Sequence, residues 1–215
     1  THYSLRGAGG SVADAMATYG WDSLDYVVLT HYHTDHAGGL EGLLARVEVD
    51  RLLLPELSEN HGQSPLQQEV LTLAERYGVA VDYVQQLETI PLGEGELTLY
   101  PPMTAGDTNE EGLAVLGTWG EFDVLITGDM SSATERRLLE RYELPDAEVL
   151  LVGHHGSKNS TSEDLLRAVM PEVGIISVGE NNYGHPTYEA MERMAFYGMT
   201  LYRTDLQGNV LIRVN

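Results

Sequence analysis

Two hydrophobic periods alternate along this chain. Short apolar runs of strand type are separated by stretches with helical spacing, the pattern of an α/β protein. Asp25–Thr30, Val49–Leu54 and Val79–Val84 read as strands, the second stopped by Pro55. Ser11–Tyr19, Leu40–Val47 and a segment from Ser64-Pro65 to about Tyr77 read as helices. Ser11-x-x-Asp14 has the form of a capping box, and Gly78 is placed as a C-terminal stop. From Leu97 the pattern turns to β, with strands at Leu97–Tyr100, Leu113–Trp119 and Phe122–Thr127; a tight turn at Gly120 joins the last two. Helices at Ser132–Tyr142, Ser162–Met170 and Tyr188–Tyr197 then alternate with strands at Glu148–Val152, Val173–Val178 and Thr200–Arg203. A final strand is expected at Asn209–Val214. There is no repeat, low-complexity tract or linker, so residues 1–215 read as one domain.

The chemistry is concentrated at the ends of these strands. His31-Tyr32-His33-Thr34-Asp35-His36 puts three imidazoles and a carboxylate directly after an apolar run, with Gly38-Gly39 following. Imidazole suits zinc and similar ions, and the carboxylate suits a second, harder site. His31 and His33 can hold one ion, Asp35 and His36 another. Asp129 follows the strand ending at Thr127, His154 and His155 follow the next, and His185 lies in a glycine-bounded loop after Val178. Strand ends on one edge of an α/β sheet converge, so these four places are expected to form one site. Asp129 is the candidate bridge, because two ions about 3.5–4 Å apart need a shared anionic ligand and suit displacement at phosphorus. Of the histidine pair, His154 is favoured as ligand, its place after the strand mirroring Asp129. His155 is left to contact substrate or a proton. Ser157 and Lys158, in the turn that follows, can bind an anionic group. His2 and His61 fall outside the pattern and read as solvated.

Charge narrows the options. Twelve Lys and Arg against 33 Asp and Glu give a net charge of −21. Such a surface does not bind nucleic acid electrostatically as a whole. An anionic substrate would need a local positive focus, and Lys158, the sole lysine, lies beside the paired histidines. The absence of cysteine excludes thiolate metal sites, disulfides and thiol catalysis. No apolar run approaches the roughly 20 residues of a bilayer span, so no membrane insertion by this chain itself is expected.

These motifs resemble the metallo-β-lactamase fold, and more closely the metallo-β-lactamase-like domain of ComEC-type competence proteins, the DNA-uptake channels. The resemblance rests on Leu29–Leu40, Leu125–Met130, His154-His155-Gly156-Ser157-Lys158, Ile175–Gly179, Asn182-Tyr183-Gly184-His185-Pro186 and Tyr202–Gly208. It implies an αββα sandwich with a dinuclear zinc or manganese site at its edge. His31, His33, Asp35, His36, Asp129, one histidine of the 154/155 pair and His185 carry over as ligands. It also implies a nuclease that degrades the strand not transported, acting on single-stranded DNA at the extracytoplasmic face of the membrane, beside the channel portion of the same protein. The family's opening strands precede the region where this chain begins, so the sandwich is expected to lack them. Many superfamily members carry a ligand histidine before the bridging aspartate. Here Asp107–Gly112 stands there, with Asn109 among its residues, so the first ion is expected to take its third histidine from later in the chain. Two rival readings are a hydrolase of another substrate, such as a phosphocholine ester or lactone, and a catalytically silent structural or gating domain.

Overall fold

A computed structural model describes residues 5–58 and 64–214. His2 and His61 lie outside the described residues. The elements run α1 (Leu5–Thr18), β1 (Ser23–Val28), α2 (Thr34–Ala37), α3 (Leu40–Leu44), β2 (Glu48–Pro55), α4 (Pro65–Tyr77), β3 (Ala80–Val84) and β4 (Glu88–Leu92). They continue β5 (Gly95–Tyr100), β6 (Ala114–Trp119), β7 (Phe122–Ile126), α5 (Ser132–Arg141), β8 (Val149–Leu151) and α6 (Glu163–Val169). The last are β9 (Val173–Ile176), α7 (Tyr188–Phe196), β10 (Thr200–Arg203) and α8 (Thr204–Gln207).

Two sheets pack face to face. One is parallel, in the order β1-β2-β3; the other has seven strands in the order β10-β9-β8-β7-β6-β5-β4. In the larger sheet β4 to β7 form an antiparallel meander, and β7 to β10 run parallel. Leu53 and Val84 of the small sheet meet Leu99, Leu113 and Val115 of the large one in a common cluster. On its outer face the small sheet carries the cluster of Leu40, Leu44, Leu52, Leu54, Val70 and Leu73, which brings in α3 and α4. Outside the large sheet, Leu125, Leu150 and Ile176 pack on Leu138, Leu165, Leu166 and Met194 of α5 to α7. The layers are therefore α, β, β, α. Each fully buried leucine between them contributes about 1.5–3 kcal/mol of hydrophobic stabilisation.

Three expectations are corrected. Helix α1 begins at Leu5, so Ser11 sits inside it and caps nothing. The glycine-rich start is helical because α1 presses on α3: a Cβ at Gly9 would lie 1.8 Å from the Gly39 carbonyl oxygen. Tertiary contact thus overrides weak helix propensity. Strand β4 was not expected; it is the edge of the large sheet and contains Pro91, which an edge strand tolerates. The segment Asn209–Val214 is not a strand. After α8 the chain turns at Gly208 (φ 70°, ψ −130°), and Val210, Leu211 and Ile212 line a cleft with Phe122, Val149, Val173 and Tyr202. They border these strands without a backbone ladder, and Leu211 remains largely exposed. Elsewhere boundaries move by a few residues, as at α3, which stops at Leu44, three residues short of expectation.

Candidate metal centre

The carboxyl ends of β1, β7, β8 and β9 meet at one edge of the sandwich, where parallel strands place their loops together. A cavity of about 240 Å³ opens there, lined by Thr30, Asp35, His36, Asp129, His155 and Ser177 among others. Two groups of side chains meet at this edge. His31, His33 and Asp129 form one; Asp35, His36 and His155 form the other; within each, the ligand-type atoms lie within 4.8 Å of one another. Asp129 lies between the two. Its Oδ1 is 3.3 Å from His36 Nε2, and its Oδ2 is 3.7 Å from Nε2 of both His154 and His155 and 3.8 Å from His31 Nε2.

Asp129 is directed inward by Gly128, whose φ of 56° belongs to the left-handed region that glycine occupies at no steric cost. A Cβ at Gly128 would come 3.1 Å from that of Thr30, so the turn also packs closely on β1's loop. Asp129 does not cap α5: Ser131 holds the N-cap position, without a side-chain cap bond. The next turn is tied to this one, because His154 N donates to the Gly128 carbonyl at 3.1 Å. His154 and His155 themselves have φ of 50° and 54°. Two consecutive left-handed residues other than glycine cost on the order of 1–3 kcal/mol each and persist where surrounding structure imposes them.

That structure is the loop of residues 157–162, in which the sequence pointed to Ser157 and Lys158 for anion binding but not to the bracing of the two turns. Gly153 N donates to Thr161 Oγ1 at 3.0 Å, and Ser160 Oγ donates to the Met130 carbonyl at 2.7 Å. One loop therefore joins the Asp129 turn to the histidine turn. Two charged side chains hold it in place. The fully buried Glu135 of α5 accepts from Thr161 N at 2.5 Å and Ser162 N at 2.8 Å. Arg193 of α7 donates to the carbonyls of Lys158, Ser160 and Thr161 at 3.3, 2.8 and 2.8 Å. Burial raises the Glu135 pKa, against the lowering effect of its backbone donors and of Arg193.

Electrostatics suits the two groups to metal. His31 is fully buried, and its Nε2 has no hydrogen-bond partner. Burial, helped by His36, holds its pKa down at about 3, so the imidazole is neutral and its lone pair free. An orphaned buried nitrogen facing Asp129 fits an ion. In the second group Asp35 Oδ2 lies 3.1 Å from His155 Nε2, and the other ring nitrogen, Nδ1, is 2.7 Å from the Ser177 carbonyl. Bonding to Asp35 lifts the His155 pKa to about 9, and bonding to His155 lowers that of Asp35. Burial pushes Asp129 up, yet His36, His155 and His31 together leave its pKa lowered.

The remaining expected residues lie outside the two groups. The His185 ring centroid is 5.6 Å from that of His154, outside both groups; burial, with His154 and His155, lowers its pKa. Ser157 is buried, and its Oγ accepts from Asn159 N at 3.3 Å, a turn-forming contact. Lys158 is exposed, and no ion pair holds its side chain among the described residues. The stretch Asp107–Gly112 wraps the first motif. Tyr32 N donates to Thr108 Oγ1 at 3.0 Å, Leu113 N donates to the Thr30 carbonyl at 2.8 Å, and Asn109 Oδ1 is buried without a partner.

Residues 7–180 match the family described as the Metallo-beta-lactamase superfamily, and the chain belongs to it. Among relatives, ComE operon protein 3 of Bacillus subtilis is 31% identical over 202 residues, covering 92% of this chain and 26% of that protein. Recombination protein 2 of Haemophilus influenzae is 33% identical over 193 residues, 89% of this chain and 22% of that protein. The chain thus spans about a quarter of the length of these curated relatives. The crystal structure of the metallo-β-lactamase fold protein YhfI from Bacillus subtilis superposes with a TM-score of 0.56 at 14% identity, covering 90% of this chain and 80% of that one.

Proposed function

We propose that this chain is a dinuclear metal-dependent phosphodiesterase acting on single-stranded DNA, the hydrolase domain of a DNA-uptake protein, degrading the strand that is not transported. The observation that carries the reading is the Asp129 carboxylate set between two groups of histidine and aspartate side chains. His31, His33 and Asp129 would hold one ion, with His154 supplying the later third histidine. Asp35, His36 and His155 would hold the other, with Asp129 shared. Two divalent ions, zinc or manganese, supply Lewis acidity there and lower the pKa of water. The protein's own part is to orient and to move protons. The Ser177 carbonyl fixes the ring of His155. His185, whose pKa burial and the neighbouring histidines lower, accepts or returns a proton at its ring nitrogen on the open side. Lys158 neutralises an incoming phosphate. Kinship with a ComE operon protein and a recombination protein supports a DNA substrate, and the resemblance to DNA-uptake channels implies a place at the extracytoplasmic face of the membrane. No helix among the described residues is long and apolar enough to cross a membrane.

The test is metal-dependent degradation of end-labelled single-stranded DNA by purified protein, abolished by chelation and restored by zinc or manganese. A second reading, hydrolysis of a small ester such as a phosphocholine ester or lactone at the same centre, is favoured by the net charge of −21. Turnover of such esters with none of DNA would establish it. Stoichiometric metal with no turnover of either substrate would instead leave a structural or gating domain.

A further inference from the structure

An acidic surface leaves open how a polyanionic strand would be held outside the metal centre. The loop carrying His185 offers a means that does not depend on charge. Its backbone is pinned by one side chain: Asn181 Nδ2 donates to the carbonyls of Gly179 and His185 at 2.9 and 2.8 Å, and Asn181 Oδ1 accepts from Tyr183 N and His185 N at 3.0 and 3.1 Å. All four hydrogen-bonding positions of the amide are used within the loop. The loop is anchored at its far end by Thr187, whose N and Oγ1 both donate to the Gly156 carbonyl. Yet Tyr183, in the middle of this fixed turn, is 85% exposed. Its ring lies 6.0 Å from that of His185 with 30° between their planes, and His185 in turn is 5.6 Å from His154. Tyr188, at the start of α7 three residues beyond His185, is 75% exposed. A solvent-facing aromatic carried on a pinned backbone, two rings from the candidate centre, is placed for stacking.

We propose that Tyr183 is a stacking platform for a nucleobase of the substrate strand. The proposal rests on the phosphodiesterase reading and names what makes the substrate nucleic acid instead of a simple diester. Base–aromatic stacking is tolerant of sequence and independent of surface charge. It therefore suits a protein with a single lysine and a charge of −21.

The experiment compares KM for a short single-stranded oligonucleotide with KM for methyl p-nitrophenyl phosphate, a diester without a base. Wild type, Tyr183→Ala and Tyr183→Phe are measured, with metal content determined in parallel. In Tyr183→Ala the oligonucleotide KM is expected to rise about 5- to 150-fold. The KM for the base-free diester should rise far less, and metal content should match wild type. Tyr183→Phe, which keeps the ring, should restore oligonucleotide binding. Equal losses on both substrates, or no rescue by phenylalanine, would show a structural role and overturn the platform. So would cleavage of the oligonucleotide equally well by wild type and Tyr183→Ala, which leaves the phosphodiesterase reading standing. If wild type hydrolyses esters but no oligonucleotide, that reading falls and the platform falls with it.

Discussion

Replacing Gly156 by alanine isolates the contact between the histidine turn and the His185 loop. Gly156 has φ of 82°, and a Cβ there would lie 2.5 Å from Pro186 Cβ and 3.0 Å from Pro186 Cα. Carbon atoms in good contact are about 3.5–4.0 Å apart, so the Pro186 backbone must retreat by roughly 1 Å. It cannot do so freely, because Thr187 is held to the Gly156 carbonyl by two bonds. The left-handed backbone costs about 1–2 kcal/mol for a residue with a Cβ, and overpacking about 1–3. Together these give a loss of about 2–5 kcal/mol, or roughly 4–20 °C in Tm for a chain of this size. His185 would move with Pro186, while His31, His33 and Asp129 keep their places. Misplacement by about 1 Å is enough to cost on the order of 100-fold in rate. Thermal melting, elemental analysis and kcat/KM on a phosphodiester read the three effects separately. A variant that melts like wild type and turns over at the wild-type rate would refute the claim that this close approach sets the position of His185.

Asp129→Asn keeps the shape but removes the shared charge; metal content should fall below that of wild type by elemental analysis, and turnover with it, whereas Glu163→Gln on α6 should change neither. His185→Ala should retain metal while losing turnover, since among the described residues His185, unlike His154, makes no contact within 4 Å of the Asp129 carboxylate; loss of metal in that variant would make it a ligand. Glu135→Ala leaves Thr161 N and Ser162 N buried without their acceptor, so urea unfolding should show a loss of about 2–4 kcal/mol; a loss under about 1 kcal/mol would mean the loop does not need its carboxylate. In chelated protein the His155–Asp35 pair sets a pH window. The raised His155 pKa contributes stability that is fully present below the ordinary 6.5 and lost as pH rises through about 9. The lowered Asp35 pKa contributes stability present above the ordinary 3.8 and lost as pH falls. The melting temperature of the metal-free form should therefore decline from pH 6.5 to 9, and Asp35→Asn should flatten that decline; an unchanged slope in the variant would exclude the pair as its source.

The ligand-type residues were legible because each follows a strand, and parallel strands bring their carboxyl ends together whatever fills the space between. The division of His31 and His33 from Asp35 and His36 could be read from spacing along a single turn. The partner of each group could not, since His154 and His155 approach the same Asp129 oxygen at the same 3.7 Å and only their left-handed backbone sends one ring toward Asp35. Glu135 and Arg193 were invisible for another reason. Each lies on an amphipathic helix where a charge ordinarily faces solvent, and only the fold brings a loop of bare peptide groups against them. The start of α1 was misread because its glycines argue for a loop until α3 is there to receive them. Strand β4 was missed because an exposed edge needs no apolar alternation.

A centre built from the ends of β1 on one side and of β7, β8 and β9 on the other joins two layers that elsewhere pack chiefly through apolar side chains. Ions seated there would act as rivets through the sandwich. Ligand held at a thousand times its dissociation constant adds about 4.1 kcal/mol to stability, a large share of the 5–15 kcal/mol that keeps an ordinary domain folded. The lifetime of this protein in its surroundings would then track the supply of metal outside the chain. In a metal-poor medium a protease would find the layers parted, and removal of the protein would follow loss of activity without any further signal.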